Sequence, residues 1–194
     1  EKSHFDKLVA SLLPLMEKLT TGRTAALLSP TLDDPTDWRP VFDWTSVINL
    51  GGIVYVGLDA LSDYEVAGAV GNSMFADLTS VAGSLYKFGP GRGLPGEIRP
   101  RRIAIHADEF NELIGDEFIP LLNKAGGAGF QVTAYTQTWS DVEARIGSRP
   151  KAGQVAGNFN TLIVLRVKEM ATAELLTDQL PEVQLTSIQV SSSV

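Results

Sequence analysis

Short runs rich in β-branched residues alternate along this chain with segments of helical periodicity, and this alternation constrains the fold more than any other feature. The apolar runs lie at 52–57, 103–107, 130–136 and 161–166. Between them, apolar residues recur at steps of three and four, the spacing of an amphipathic helix. Strands joined by helices run parallel, and strands this apolar are typical of a covered sheet. The pattern predicts an α/β fold with a mostly parallel sheet and helices on both faces.

Composition limits the classes of function. The 194 residues give room for one domain. With 16 basic and 23 acidic residues the net charge is −7, which argues against a broad nucleic-acid surface. The absence of cysteine excludes disulfides, thiolate metal sites and cysteine nucleophiles. The longest uncharged apolar stretch, 44–58, is too short to span a membrane, so we expect a soluble, cytoplasmic chain.

A loop rich in proline and aspartate, at 28–40, marks the expected internal boundary. Before it, apolar residues at helical spacing predict an amphipathic helix that ends near Gly22. We therefore divide the chain into a helical segment with a Pro-rich linker at 1–44 and a core at 45–190. Because the chain begins without Met or a signal-peptide pattern, we expect it to be a piece of a longer protein.

Two adjacent carboxylates, Asp108 and Glu109, directly follow the run at 103–107. Ligands of open parallel sheets bind beyond the carboxyl ends of the strands, so chemistry is expected here. In nucleotide hydrolases an Asp at this place holds magnesium and a following Glu polarises the attacking water, the arrangement called Walker B. The alternative is an acidic residue that merely starts a loop, because so short a pattern recurs by chance.

Gln137 closes the next strand along the chain. Its amide could donate to a γ-phosphate or accept from the attacking water, and the alternative is a solvated loop amide. A capping-box pattern from Ser140 to Glu143 predicts a helix directly after it.

The sequence has neither of two common phosphate-binding motifs. Residues 91–96 fit Gly-x-Gly-x-x-Gly, but they follow a helix and precede a strand, which is the reverse of the dinucleotide-binding context. The sequence contains no Gly-Lys pair, so it has no Walker A loop. A sheet without that unit has an unpaired edge, and we expect self-association or coverage by residues 1–20.

Several segments together resemble one family. They are residues 103–113, 124–132, 136–138, 143–147 and 157–176. In this order they resemble the type IV coupling proteins of bacterial conjugation, the TraD/TraG family, which are relatives of the FtsK and HerA DNA motors. The resemblance covers about residues 45–183.

The resemblance implies a RecA-like ATPase fold, a hexameric ring and ATP-driven delivery of DNA with its relaxase to a type IV secretion channel. It implies ATP and Mg²⁺ as cofactors, with Asp108 as the magnesium ligand, Glu109 as the catalytic carboxylate and Gln137 as the sensor that also contacts nucleotide. Family members carry an inner-membrane anchor and a Walker A loop, which this sequence lacks. Whether the chain alone is an enzyme therefore stays open.

Two other functions fit the same residues. One is a non-catalytic docking module that binds relaxosome or secretion-channel proteins and does not respond to nucleotide. The other is a stand-alone magnesium-dependent hydrolase built on Asp108 and Glu109. The second is disfavoured because no further carboxylates cluster after the other predicted strands.

Overall fold

The computed structural model describes residues 4–29, 31, 33–90, 100–115, 118–178 and 180–181. Its elements in chain order are α1 (His4–Thr20), α2 (Gly22–Leu28), α3 (Trp44–Leu50), α4 (Tyr64–Phe88), β1 (Ile103–Ala107), α5 (Phe110–Leu113), α6 (Phe118–Lys124), a 3₁₀ turn (Ala125–Ala128), β2 (Phe130–Ala134), α7 (Trp139–Ile146), α8 (Arg149–Gly157) and α9 (Met170–Thr177).

The two strands form a parallel sheet in which Ile103 pairs with Phe130 and Ala107 with Ala134. The connection between them contains α5 and α6, as expected for a parallel pair. Along β1 the side chains alternate, and Ala107 at its carboxyl end is buried. The prediction of an α/β fold with a parallel sheet is confirmed.

The core consists of two hydrophobic clusters that share Phe75 of the long helix α4. One contains Phe110, Phe118 and Val142, and the other contains Leu121. Small residues of α4 allow its neighbours to come close. A Cβ on Gly71 would lie 3.0 Å from side-chain atoms of both Leu113 and Leu58, so this position favours glycine. The long helix therefore holds α5 close to the end of β1.

Two of the predicted strands, 52–57 and 161–166, are not strands in this structure. Within the described part of the chain, neither segment makes a strand-to-strand backbone hydrogen bond, and the N–H of Gly52 donates only to the carbonyl of Val47 in α3. Their large apolar side chains point outward, with Ile53 at 99% exposure and Leu165 at 97%. A buried parallel strand needs a hydrogen-bonding partner and a covering layer, and the described residues supply neither. We call these two segments the unpaired apolar segments.

The prediction of helices on both faces is also wrong for the described residues. Ala104, His106, Gln131 and Thr133 form one face of the sheet, and all four are exposed. Most of these side chains are polar, so this face offers little apolar surface against which a helix could pack.

The start of α7 differs from the capping-box prediction. Thr138, whose side chain accepts from the backbone N–H of Asp141, caps this helix two residues before the predicted Ser140. Asp63 caps α4 in the same way by accepting from the backbone N–H of Val66. Threonine and serine are both favoured caps, so the sequence offered competing starts two residues apart. The sequence patterns did not predict α2, α3, α5 or α8.

The N-terminal helix α1 contacts the start of α4 through Lys18, whose ammonium lies 2.6 Å from Glu65 and 3.4 Å from Asp63. Apolar residues of α1, including Phe5 and Met16, stay exposed. None of the helices described is long and apolar enough to cross a membrane. The glycine motif at 91–96 lies outside the described residues. The predicted division at residue 44 stays a prediction.

Candidate functional site

The structure brings the two strand ends of the predicted site together. The backbone N–H of Tyr135 donates to the carbonyl of Ala107 at 2.9 Å, and the N–H of Phe110 donates to the carbonyl of Tyr135 at 3.0 Å. These bonds extend the parallel pairing beyond the strands themselves. Asp108 and Glu109 therefore lie at the same edge of the sheet as the segment that carries Gln137.

Glu109 has an unusual backbone conformation. Its φ of 46° and ψ of 47° place it in the left-handed region, and among the described residues no other non-glycine has a positive φ. The conformation makes a sharp turn between β1 and α5. Directly after the turn Phe110 is only 3% exposed and packs against the rings of Phe118 and Phe159. Burial of this ring stabilises a turn that would otherwise cost about 1–2 kcal/mol.

Asp108 is exposed, and one of its carboxylate oxygens accepts from the backbone N–H of Glu109 at 3.0 Å. This bond fixes the orientation of the carboxylate, and its other oxygen accepts no hydrogen bond from the described residues. Mg²⁺ prefers oxygen ligands and usually takes only one or two protein carboxylates together with water and phosphate. Asp108 fits this requirement.

Gln137 is exposed and lies between two threonines that make specific contacts. The hydroxyl of Thr136 lies 3.1 Å from the Asn111 side-chain oxygen and 3.2 Å from the carbonyl of Thr138. The hydroxyl of Thr138 accepts from the backbone N–H of Asp141 at 3.2 Å and so caps α7. The sequence analysis did not identify Asn111, Thr136 or Thr138 as residues of the site. The sequence did carry a signal for them, because short polar side chains cluster after the two strands.

The start of α7 is tied to the start of α9 by three side chains. Ser140 donates to the Glu169 carboxylate at 2.8 Å, Thr172 donates to it at 2.7 Å, and the Thr172 hydroxyl accepts from the backbone N–H of Trp139 at 2.9 Å. Hydrogen bonds from the hydroxyls of Thr172 and Ser140 lower the pKa of Glu169 to about 2. We call Ser140, Glu169 and Thr172 the α7–α9 clasp. It connects the helix after Gln137 to a distant part of the chain.

A polar cleft of about 390 Å³ adjoins the predicted site without containing it. The Arg145 guanidinium forms one wall, 5.0 Å from the centre of the Tyr64 ring, and donates to the carbonyl of Glu112 at 3.3 Å. Asn111 belongs both to this cleft and to the contact with Thr136. The lining residues are Tyr64, Asn111, Glu112, Asp141, Ala144 and Arg145.

His106 lies in β1 and contacts Tyr135. It is exposed, and its Nδ1 lies 3.2 Å from the hydroxyl of Tyr135. The two rings stack with centroids 6.3 Å apart. Within the described ranges, no group of three or more His, Asp or Glu side chains is arranged to hold a metal ion.

The comparison with protein families covers this region of the chain. A family model described as the TraM recognition site of TraD and TraG matches residues 102–194. This part of the chain, just under half of its length, is similar to the coupling proteins TraD and TraG. This segment includes β1, the Asp108–Glu109 turn and Gln137, and the match connects the chain to conjugation. No curated protein and no solved structure matches the chain.

Proposed function

We propose that this chain supplies the carboxylate and sensor half of the nucleotide site of a conjugative coupling ATPase. The ATPase would use ATP hydrolysis to deliver DNA with its relaxase to a type IV secretion channel. In this proposal Asp108 holds Mg²⁺, Glu109 polarises the attacking water and Gln137 contacts the γ-phosphate. The left-handed backbone of Glu109 is the observation that carries the proposal.

Strained backbone at a charged residue supports a functional role. A residue that only starts a loop at this φ is usually glycine, because glycine has no Cβ and avoids the steric cost that glutamate bears. Strained positions cluster at active sites, where the strain aims a side chain. Here the strained turn lies at the carboxyl end of a parallel strand, where ligands of such sheets bind.

The two carboxylates have environments suited to different tasks. Asp108 is held by the N–H of Glu109, as suits a fixed metal ligand. Glu109 is exposed, and its side chain makes no hydrogen bond with the described residues. A carboxylate in that state is free to accept a hydrogen bond from a water molecule. When bound, Mg²⁺ would neutralise charge on the phosphates.

The proposal requires parts of the nucleotide site that this sequence does not contain. The phosphate-binding loop with its lysine must come from elsewhere, because the sequence has no Gly-Lys pair. In a complete RecA-like sheet, the unpaired apolar segments would become strands and lose their exposure. A hexameric ring and a membrane-anchored parent belong to the same proposal, through the family resemblance.

The test is Asp108→Asn in a full-length coupling protein that carries this segment. We expect loss of most magnesium-dependent ATP turnover, because an amide is a poorer ligand for Mg²⁺ than a carboxylate. Glu174→Gln is the matched control, since Glu174 is an exposed carboxylate on a different element, α9. Equal turnover in the two variants would contradict the proposal.

The chain on its own should not hydrolyse ATP. Without backbone amides and a lysine around the phosphates, the main electrostatic cradle for the nucleotide is absent. Phosphate release by the 194-residue chain, measured against its Glu109→Gln variant, tests this expectation. Release well above that control would favour a stand-alone magnesium-dependent hydrolase.

A second candidate function is docking of a relaxosome protein, favoured by the description of the matching family model. In this case the chain would bind TraM directly and without nucleotide. Titration calorimetry of the chain with purified TraM, with and without Mg-ATP, tests it. Binding that is unchanged in Glu109→Gln would support docking as a separate activity. Absence of binding would remove this candidate.

A further inference from the structure

We infer that Thr136 and Asn111 are positioning residues that set the place of Gln137 relative to the Asp108–Glu109 turn. The inference rests on the proposed function and adds residues to which neither the sequence motifs nor the family match assigned a role. It starts from a side-chain hydrogen bond of 3.1 Å between the Thr136 hydroxyl and the Asn111 side-chain oxygen.

This bond connects the Asp108–Glu109 turn to the Gln137 segment at a point where backbone hydrogen bonds no longer connect them. Backbone hydrogen bonds connect the strand ends as far as Tyr135. Thr136 is the next residue, and Gln137 follows it. Asn111 lies two residues after Glu109, in α5. The Thr136–Asn111 bond therefore extends the connection by one residue and ends directly beside Gln137.

The orientation of the Asn111 amide suits this role. Its nitrogen donates to the Glu112 carboxylate at 3.1 Å, and a carboxylate can only accept. The amide nitrogen is thereby occupied, and the oxygen faces Thr136 as an acceptor. Glu112 thus helps to hold Asn111 in the orientation that the Thr136 hydroxyl requires.

The Thr136 hydroxyl has two acceptors but only one proton. It can donate to Asn111, or to the carbonyl of Thr138 at 3.2 Å, but not fully to both. The first bond ties the Gln137 segment to α5. The second closes a local turn around Gln137. The two acceptors therefore give Gln137 two positions. In one it is connected to the Asp108–Glu109 turn through Asn111, and in the other it is held only by its own local turn.

The test uses Thr136→Val, which keeps the shape of the side chain and removes its hydroxyl, in a full-length coupling protein that carries this segment. Loss of one positioning hydrogen bond should lower kcat for ATP hydrolysis by about tenfold. The KM for ATP should change by less than about twofold, because binding itself is not removed. Thr136→Ser keeps the hydroxyl and should restore turnover.

Two controls separate positioning from a general effect. Thr133→Val makes the same substitution on an exposed part of β2 and should leave turnover unchanged. Asn111→Ala should lower kcat like Thr136→Val, and the double variant should be no worse than either single variant, because one bond is lost in each case. If Thr136→Val fails to fold in thermal melts, Asn111→Ala alone provides the comparison with wild type.

The outcomes distinguish this inference from the proposed function. If Glu109→Gln keeps normal turnover, the proposed function fails and the inference fails with it. If Glu109→Gln loses turnover while Thr136→Val and Asn111→Ala behave like wild type, only the positioning inference is wrong. Additive losses in the double variant, or no rescue by Thr136→Ser, would also overturn it.

Discussion

Replacing Glu109 by glycine should stabilise the fold while it removes the proposed catalytic group. The φ of 46° costs a residue with a side chain about 1–2 kcal/mol, and glycine escapes this cost. Glycine also increases the conformational entropy of the unfolded chain, which lowers the free energy of unfolding by about 0.4–1 kcal/mol. Taking the middle of each range, the net expectation is a gain of about 0.8 kcal/mol in the free energy of unfolding.

The assay is thermal and urea denaturation of this chain followed by circular dichroism. For a protein of this size 1 kcal/mol corresponds to about 2–4 °C, so Glu109→Gly should raise Tm by about 1–4 °C. Glu109→Gln keeps a side chain on the strained residue and should leave Tm unchanged. In a full-length coupling protein, both variants should lose ATP hydrolysis.

The matched control is Glu174→Gly in α9, where the glutamate is exposed and helical. There glycine should lower the free energy of unfolding by about 1 kcal/mol. If Glu109 has a left-handed backbone, glycine should raise the free energy of unfolding at position 109 and lower it at position 174. If Glu109→Gly destabilises the chain as much as Glu174→Gly does, Glu109 does not have a strained backbone in solution.

The remaining predictions concern the sensor, the clasp and the unpaired apolar segments. Gln137→Ala in a full-length coupling protein should leave Tm and ATP binding nearly unchanged and abolish DNA-stimulated hydrolysis; normal stimulation would make Gln137 a loop residue only. The pKa of Glu169 is lowered from 4.5 to about 2, so its contribution to stability is present above pH 4.5 and is lost as the pH falls through about 2. In urea titrations Ser140→Ala should therefore have a lower free energy of unfolding than wild type at neutral pH, and the two proteins should become equally stable near pH 2. A difference in the free energy of unfolding that does not change with pH would refute this. Because Ile163 and Leu165 are exposed, lysine at both positions should reduce self-association in light scattering, whereas a wild-type chain that is monomeric at all concentrations would contradict the prediction.

The sequence was sufficient where one local pattern determined the outcome. Strand β1 and the helix α4 follow from apolar residues at strand and helix spacing. The position of Asp108 and Glu109 at a strand end follows from the point where the apolar run stops. The proximity of Gln137 to that turn could also be expected, because the carboxyl ends of parallel strands share an edge.

The sequence failed where the outcome depended on distant partners. The segments at 52–57 and 161–166 have strand composition, but composition does not provide the neighbouring strand that hydrogen-bonds to them. The left-handed backbone of Glu109 could not be predicted either, since it depends on the burial of Phe110. The contact between Thr136 and Asn111 joins residues 25 positions apart, and no local pattern indicates it.

The most direct test of the nucleotide-site proposal measures ATP binding and ATP hydrolysis together for Glu109→Gln in a full-length coupling protein that carries this segment. The substitution keeps the size of the side chain and removes the carboxylate that would polarise the water. We expect nucleotide affinity within about threefold of wild type and a loss of turnover of at least about a hundredfold. Glu174→Gln in α9, measured alongside, should keep both properties. Retained turnover in Glu109→Gln would contradict the account, and so would equal loss in both variants.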